Sequence, residues 1–160
     1  WCVVNLTDGR VDSTHKVCKG DSLSGSHLAI KHDTIYISCW NSDSIDDGVY
    51  AFDILNPHTP KFRYQHHGFK PNSIMVDERN FIYVCGSNSI HQLTDSGQLV
   101  TIHTVSSSPY EIFYDDQHGV LYTTSFHSNV ITVYRIEYSH QPGVPIEILN
   151  MDDKSIQLFE

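Results

Sequence analysis

Several things are scarce in this chain, and each scarcity closes a door. Basic residues are few: 10 Lys plus Arg stand against 19 Asp plus Glu, a formal charge of −9 with histidine neutral. That balance opposes the counterion release behind most non-specific nucleic-acid affinity, so bulk nucleic-acid binding is disfavoured. Long apolar runs are missing too. Stretches such as Ile35 to Ile37 and Val120 to Tyr122 fall far short of the roughly 20 residues of a membrane helix, and no membrane partner is expected. Cysteines are thinly spread at Cys2, Cys18, Cys39 and Cys85, with no C-x-x-C pair and no histidine at zinc spacing, which argues against a zinc finger or a dense disulfide framework. Buried free thiols are the expectation, with three pairings open if the compartment is oxidising. No G-x-S-x-G elbow and no EF-hand spacing occur.

The chain opens on Trp1 with no basic n-region or apolar h-region, so it is expected to begin inside something larger or after processing. No address is legible there, and the expectation leans to the cytoplasm. Asn5-Leu6-Thr7 fits a glycosylation acceptor, a triplet that arises readily by chance. Eleven histidines are present; as pH falls through about 6.5 their protonation cancels much of the negative charge, although solvated loop histidines are the simpler reading.

What the chain does contain is repetition. The stretch Pro71 to Val105 runs as a proline-led strand, a charged turn, an apolar strand centred on Tyr83, a third strand and a glycine turn. Pro109 opens the same order again, and Ile74 with Ile112 and Tyr83 with Tyr122 recur at a period of about 40 residues. An earlier unit runs from about 26 to 66, with a longer loop at Asn41 to Asp47, and LTDGRV near the start matches the later LTDSGQLV. The chain therefore enters mid-unit. No amphipathic helix of useful length appears.

Four short strands per period of about 40 residues is the pattern of β-propeller blades. Each blade packs against neighbours on both faces, so inner strands read as continuous apolar runs, as IYI, FIYV and VLY do. The expected fold is all-β: a propeller segment of about three and a half four-stranded blades in one partial domain over 1–160, with a half blade at 1–18 and blades at 26–66, 71–105 and 109–150. A set this size leaves blade faces uncovered, so missing blades or domains of a longer parent chain are expected partners. SIQLF near the end reads as one more short strand.

The pattern carried by Pro71, Ile74, Asp77, Ile82-Tyr83, Asn88, Ile90 and Gly97, and again by Pro109, Ile112, Asp115, Leu121-Tyr122, Asn129 and Ile131, resembles the NHL repeat and the broader six-bladed, TolB-like propellers. The third unit lacks the late glycine, and an aspartate usual after the tyrosine strand is absent. WD-type and kelch signatures are missing. The resemblance covers about residues 25 to 150. It implies a six-bladed platform, as in tripartite-motif proteins, for protein partners or, less in keeping with the acidic balance, RNA.

Pro71-Asn72-Ser73 also resembles a calcium-binding motif of gluconolactonase-like propellers, which would make Asn72 a calcium ligand in a metal-dependent lactonase or esterase-like hydrolase. The corresponding positions, His27 and Tyr110, are poor ligands for a hard cation that takes six to eight oxygens, and strand parity turns Glu111 the other way. No catalytic residue and no cofactor follow from the chain's own residues. Asp43, Asp46-Asp47 and Asp115-Asp116 read as turns, and His66-His67 as diverging side chains. Trp40, Phe69, Tyr110 and Phe126 fall at blade tips or connectors, where exposed aromatics favour a partner interface. The expected function is a non-enzymatic protein-interaction scaffold, with Asn72, Tyr110, His27, Trp40 and Phe126 as its candidate contact residues.

Overall fold

The computed structural model describes residues 2–4, 11–14, 17–18, 25–40, 47–106, 108–125, 128–137, 147–150 and 156–157. All regular structure among them is β. A hairpin of β1 (Cys2–Val4) and β2 (Val11–Thr14) is followed by three antiparallel meanders. Blade II holds β3 (Gly25–Lys31), β4 (Thr34–Trp40), β5 (Gly48–Asp53) and β6 (Pro60–Tyr64). Blade III holds β7 (Pro71–Val76), β8 (Ile82–Gly86), β9 (Ser89–Leu93) and β10 (Leu99–Thr104). Blade IV holds β11 (Pro109–Asp115), β12 (Val120–Ser125), β13 (Ser128–Glu137) and β14 (Glu147–Asn150). The late SIQLF segment supplies β15 (Ile156–Gln157), which pairs with β13 and so extends blade IV.

Period-two alternation explains why these sheets stack. Within β8, Ile82 and Val84 join a core shared with Tyr36, Val49 and Tyr64 of blade II. Their neighbours Tyr83 and Cys85 point the opposite way, into a core shared with Ile112, Leu121 and Tyr134 of blade IV. Both faces of the strand are apolar because both are covered. Inner strands β3, β7 and β11 lie side by side, and the sheets fan out from them as propeller blades. Prolines 60, 71 and 109 each stand first in a strand, where no ladder donor is lost.

The repeated aspartate has a structural task. Asp77 is wholly buried; its Oδ1 accepts the backbone N–H groups of Arg79 at 2.9 Å and Phe81 at 2.8 Å, closing the first turn of the blade as an Asx turn. Its Oδ2 accepts the Tyr83 hydroxyl at 3.3 Å, and the Tyr83 oxygen accepts Gln92 Nε2 at 3.1 Å. Asp115 repeats the turn in blade IV through the N–H groups of Gln117 and His118, at 3.0 and 3.3 Å. The late glycine of the motif is equally local. Gly97 sits at φ +81° with its α-carbon against the Phe62 ring of blade II, where a β-carbon would overlap the ring.

One expectation is corrected. Cys18 and Cys39 form a disulfide with their α-carbons 5.5 Å apart, so among the cysteines whose side chains are described the free-thiol reading holds at buried Cys85 alone, where burial pushes the thiol up to about 12. The pairing escaped the sequence because nothing in the spacing shows that the segment after β2 returns beneath β4, where Val17 and Cys18 pack against Ile35, Ile37 and Tyr50. The bond closes a sequence separation of 21 residues. Replacing both partners, Cys18→Ser with Cys39→Ser, is expected to lower the unfolding free energy by about 3 kcal/mol, read from urea denaturation with and without reductant.

Candidate functional site

Each blade's first strand begins at one rim of the fan, beside the end of its second strand. Register shows how the rim residues are aimed. In β7 the pairing runs from Pro71 opposite Gly86 to Ser73 opposite Cys85, leaving Asn72 as a bulge. β11 repeats this, with Pro109 opposite Ser125 and Glu111 opposite Thr124, so that Tyr110 bulges. A bulge bends its strand and re-aims the side chain it carries. β3 runs without interruption and sets His27 opposite Ser38. In ladder terms His27 therefore matches Ser73 and Glu111 rather than Asn72 and Tyr110.

The three predicted residues nevertheless converge. The His27 and Tyr110 rings meet edge to face, with centroids 6.1 Å apart at 88°, although they belong to blades II and IV. Asn72 bridges all three blades: its Nδ2 donates to the Pro109 carbonyl at 3.1 Å, and its own carbonyl accepts the Ser38 hydroxyl at 2.8 Å. All three side chains are half-buried. Ser38 is fully buried, and its oxygen also accepts the His27 backbone N–H at 3.1 Å. Sequence reading passed over this serine; its one signal is a hydroxyl inside the apolar run IYISC. It passed over Gly86 as well, whose missing β-carbon leaves room for the Lys70 carbonyl as the chain enters β7.

Trp40 lies at the same rim, half-buried, with the Lys70 ammonium 5.3 Å from its ring centroid, inside cation–π range. The Lys70 backbone N–H donates to Ser87 Oγ at 2.8 Å. Phe126 lies outside the described residues, as do Asp43 and Asp46. Phe69 is no rim aromatic: it is buried in the seam between blades II and III and stacks on His91 at 3.6 Å. His66, read from sequence as a diverging loop side chain, stands edge-on to the same His91 ring at 5.0 Å.

As a metal centre the rim is poorly furnished. Among the described residues no group of three or more His, Cys, Asp or Glu side chains is placed to hold an ion, and Glu111 is exposed. Asn72 keeps one amide oxygen to offer, far from the six to eight oxygens calcium takes.

No protein-family model and no curated protein sequence matches the chain. Its likenesses lie among solved structures. The Cps50 (Swd1) β-propeller domain of Myceliophteria thermophila superposes with a TM-score of 0.72 at 10% identity, over 98% of this chain and 51% of that one. A gluconolactonase from Xanthomonas campestris gives 0.57 at 17% identity, over 74% and 39%. A chain of the nidogen/laminin complex gives 0.56 at 17% identity, over 96% and 59%. The chain thus spans about half the length of the first of these, and such identities carry the fold alone, a β-propeller.

Ser38 holds two strands and a neighbouring blade with one hydroxyl. Ser38→Ala is expected to cost about 1–3 kcal/mol of stability, since it strands buried backbone groups, as measured by urea unfolding followed by far-UV circular dichroism.

Proposed function

We propose that this chain is a non-enzymatic scaffold for protein–protein interaction, built as part of an NHL-like, six-bladed propeller, with its partner docking on the rim formed by His27, Asn72, Tyr110 and Trp40. The observation that carries the reading is the meeting of the half-buried His27 and Tyr110 rings, with Trp40 half-buried at the same rim, on a backbone already satisfied by Ser38 and Asn72. Rigid aromatic anchors on a fixed frame are what an interface hot spot needs. That one structural likeness is a subunit of the nidogen/laminin complex fits a role in assembly.

The same reading assigns the open face of blade IV to further blades. Tyr36 and Tyr83, on the forward faces of blades II and III, are buried by the next blade, whereas Tyr122 in the same position is half-exposed and its cross-strand partner Phe113 is 66% exposed. A blade laid on that face would cover both. The Cys18–Cys39 bond favours an oxidising compartment over the cytoplasm, and Asn5-Leu6-Thr7 is compatible with a secreted chain.

The gluconolactonase likeness supports the runner-up, a calcium-dependent hydrolase using Asn72 with carboxylates from outside this chain. RNA recognition is the third reading. One set of measurements separates the three. On the scaffold reading, Tyr110→Ala and Trp40→Ala each weaken capture of the protein partner at least about tenfold, a hot-spot effect, while Leu55→Ala at an exposed turn does not. Calorimetric titration of calcium into the protein, ring-completed by its remaining blades, then gives no heat. Tight calcium binding abolished by Asn72→Ala selects the hydrolase, and an RNA affinity falling steeply with salt selects the third.

A further inference from the structure

Each contact between the full blades includes a histidine set against a tyrosine of another blade: His27 with Tyr110, His91 with Tyr64, and His103 with Tyr134. The second pair is built as a directed chain. Ser89 Oγ lies 3.4 Å from the Gly86 carbonyl and 3.0 Å from His91 Nε2, and a hydroxyl turned to the carbonyl leaves its oxygen to accept Nε2–H. Nδ1 is then bare and accepts the Tyr64 hydroxyl at 2.7 Å. Phe69 lies flat on the ring, and His91 is only 2% exposed. Both partners are hydroxyls, which meet a neutral imidazole with one donor and one acceptor and bring no negative charge to a cation. A proton on Nδ1 would force the Tyr64 hydroxyl to turn from donor to acceptor, and the cation would be held only 2% exposed, against Phe69 and edge-on to His66.

We propose that the Tyr64–His91 clasp is an acid-sensitive latch, and that protonation of His91 parts the seam between blades II and III along β6, the 65–70 connector and β9. The ionisable groups bearing on the ring are Tyr64 from β6 and His66 from the connector. Burial pushes the Tyr64 phenol up to about 12, so it keeps its proton throughout. Burial, with the neighbouring His66 charge adding to it, pushes His91 down to about 4, against about 6.5 once the seam opens. A group held below its open-state value contributes stability that is complete above about pH 6.5 and is lost as pH falls through about 4. His103 follows the same direction at the next seam, lowered by burial. The connector also carries Lys70, which stands over Trp40, so an opened latch loosens the rim. Only that last link rests on the proposed docking function.

Hydrogen–deuterium exchange at pH 7.0 and 4.5, corrected for intrinsic rates, tests the latch without any partner. In the wild-type chain, protection of residues 64–70 and β9 is expected to fall by about ten- to a hundredfold at the lower pH, the range set by a drop from 6.5 to about 4. Tyr64→Phe with His91→Phe keeps the stack on Phe69 and takes no proton, so its protection there should not change with pH. An unchanged wild type, or a double variant that loses protection equally, overturns the proposal. NMR titration of the wild-type His91 ring decides independently of the variant's fold: a midpoint below about 5 supports the latch, and one near 6.5 refutes it.

Discussion

Everything in this molecule depends on strands that are apolar on both faces. A sheet with one buried face needs one partner; a sheet whose β4 or β8 sends alternate side chains into two separate cores needs two. Each such strand, once paired into its meander, forces the next sheet to lie flat on it, and the fan follows. Burial on both sides contributes about 1.5–3 kcal/mol for each large side chain such as Ile82 or Leu93, and the strands bury many of them. The rim inherits its geometry from this stacking: Asn72 reaches Pro109 only because β7 and β11 are held side by side.

That constraint is why so much of the fold is legible in the sequence. Apolar runs such as IYI and FIYV, prolines at strand starts and the spacing of Tyr36, Tyr83 and Tyr122 are direct consequences of double-sided burial, repeated once per blade. Asp77 and Asp115 are equally local, because an Asx turn is closed by residues two to four positions on. What escaped depends on contacts between distant segments. Cys18 finds Cys39, Ser38 finds Asn72, and His91 finds Tyr64 across sequence gaps that no periodicity records.

The candidate site was legible in part for a related reason. Rim position follows from strand order, so His27, Asn72 and Tyr110 could be gathered from the repeat alone. Their aim could not. The bulges at Asn72 and Tyr110 and the uninterrupted ladder at His27 are properties of pairing, and sequence alignment of the units treats all three as equivalent. Phe69 erred in the opposite sense: a connector aromatic is read as a tip, yet its ring alone turns from an otherwise exposed connector into the seam and stacks on the His91 imidazole.

Near-repeats carry a hazard of their own, since any blade face resembles every other and a folding chain can dock the wrong pair. The seams described here are not interchangeable. Gly97 fits against Phe62, and the hydroxyl of Tyr64 meets the bare nitrogen of His91; blade IV sets Thr132 at the ladder position of His91. Stacking blade IV directly on blade II would forfeit the fit of hydroxyl to imidazole. The polar and steric details between the sheets thus act as an address, writing the order of the blades into a surface that apolar contact alone would leave ambiguous.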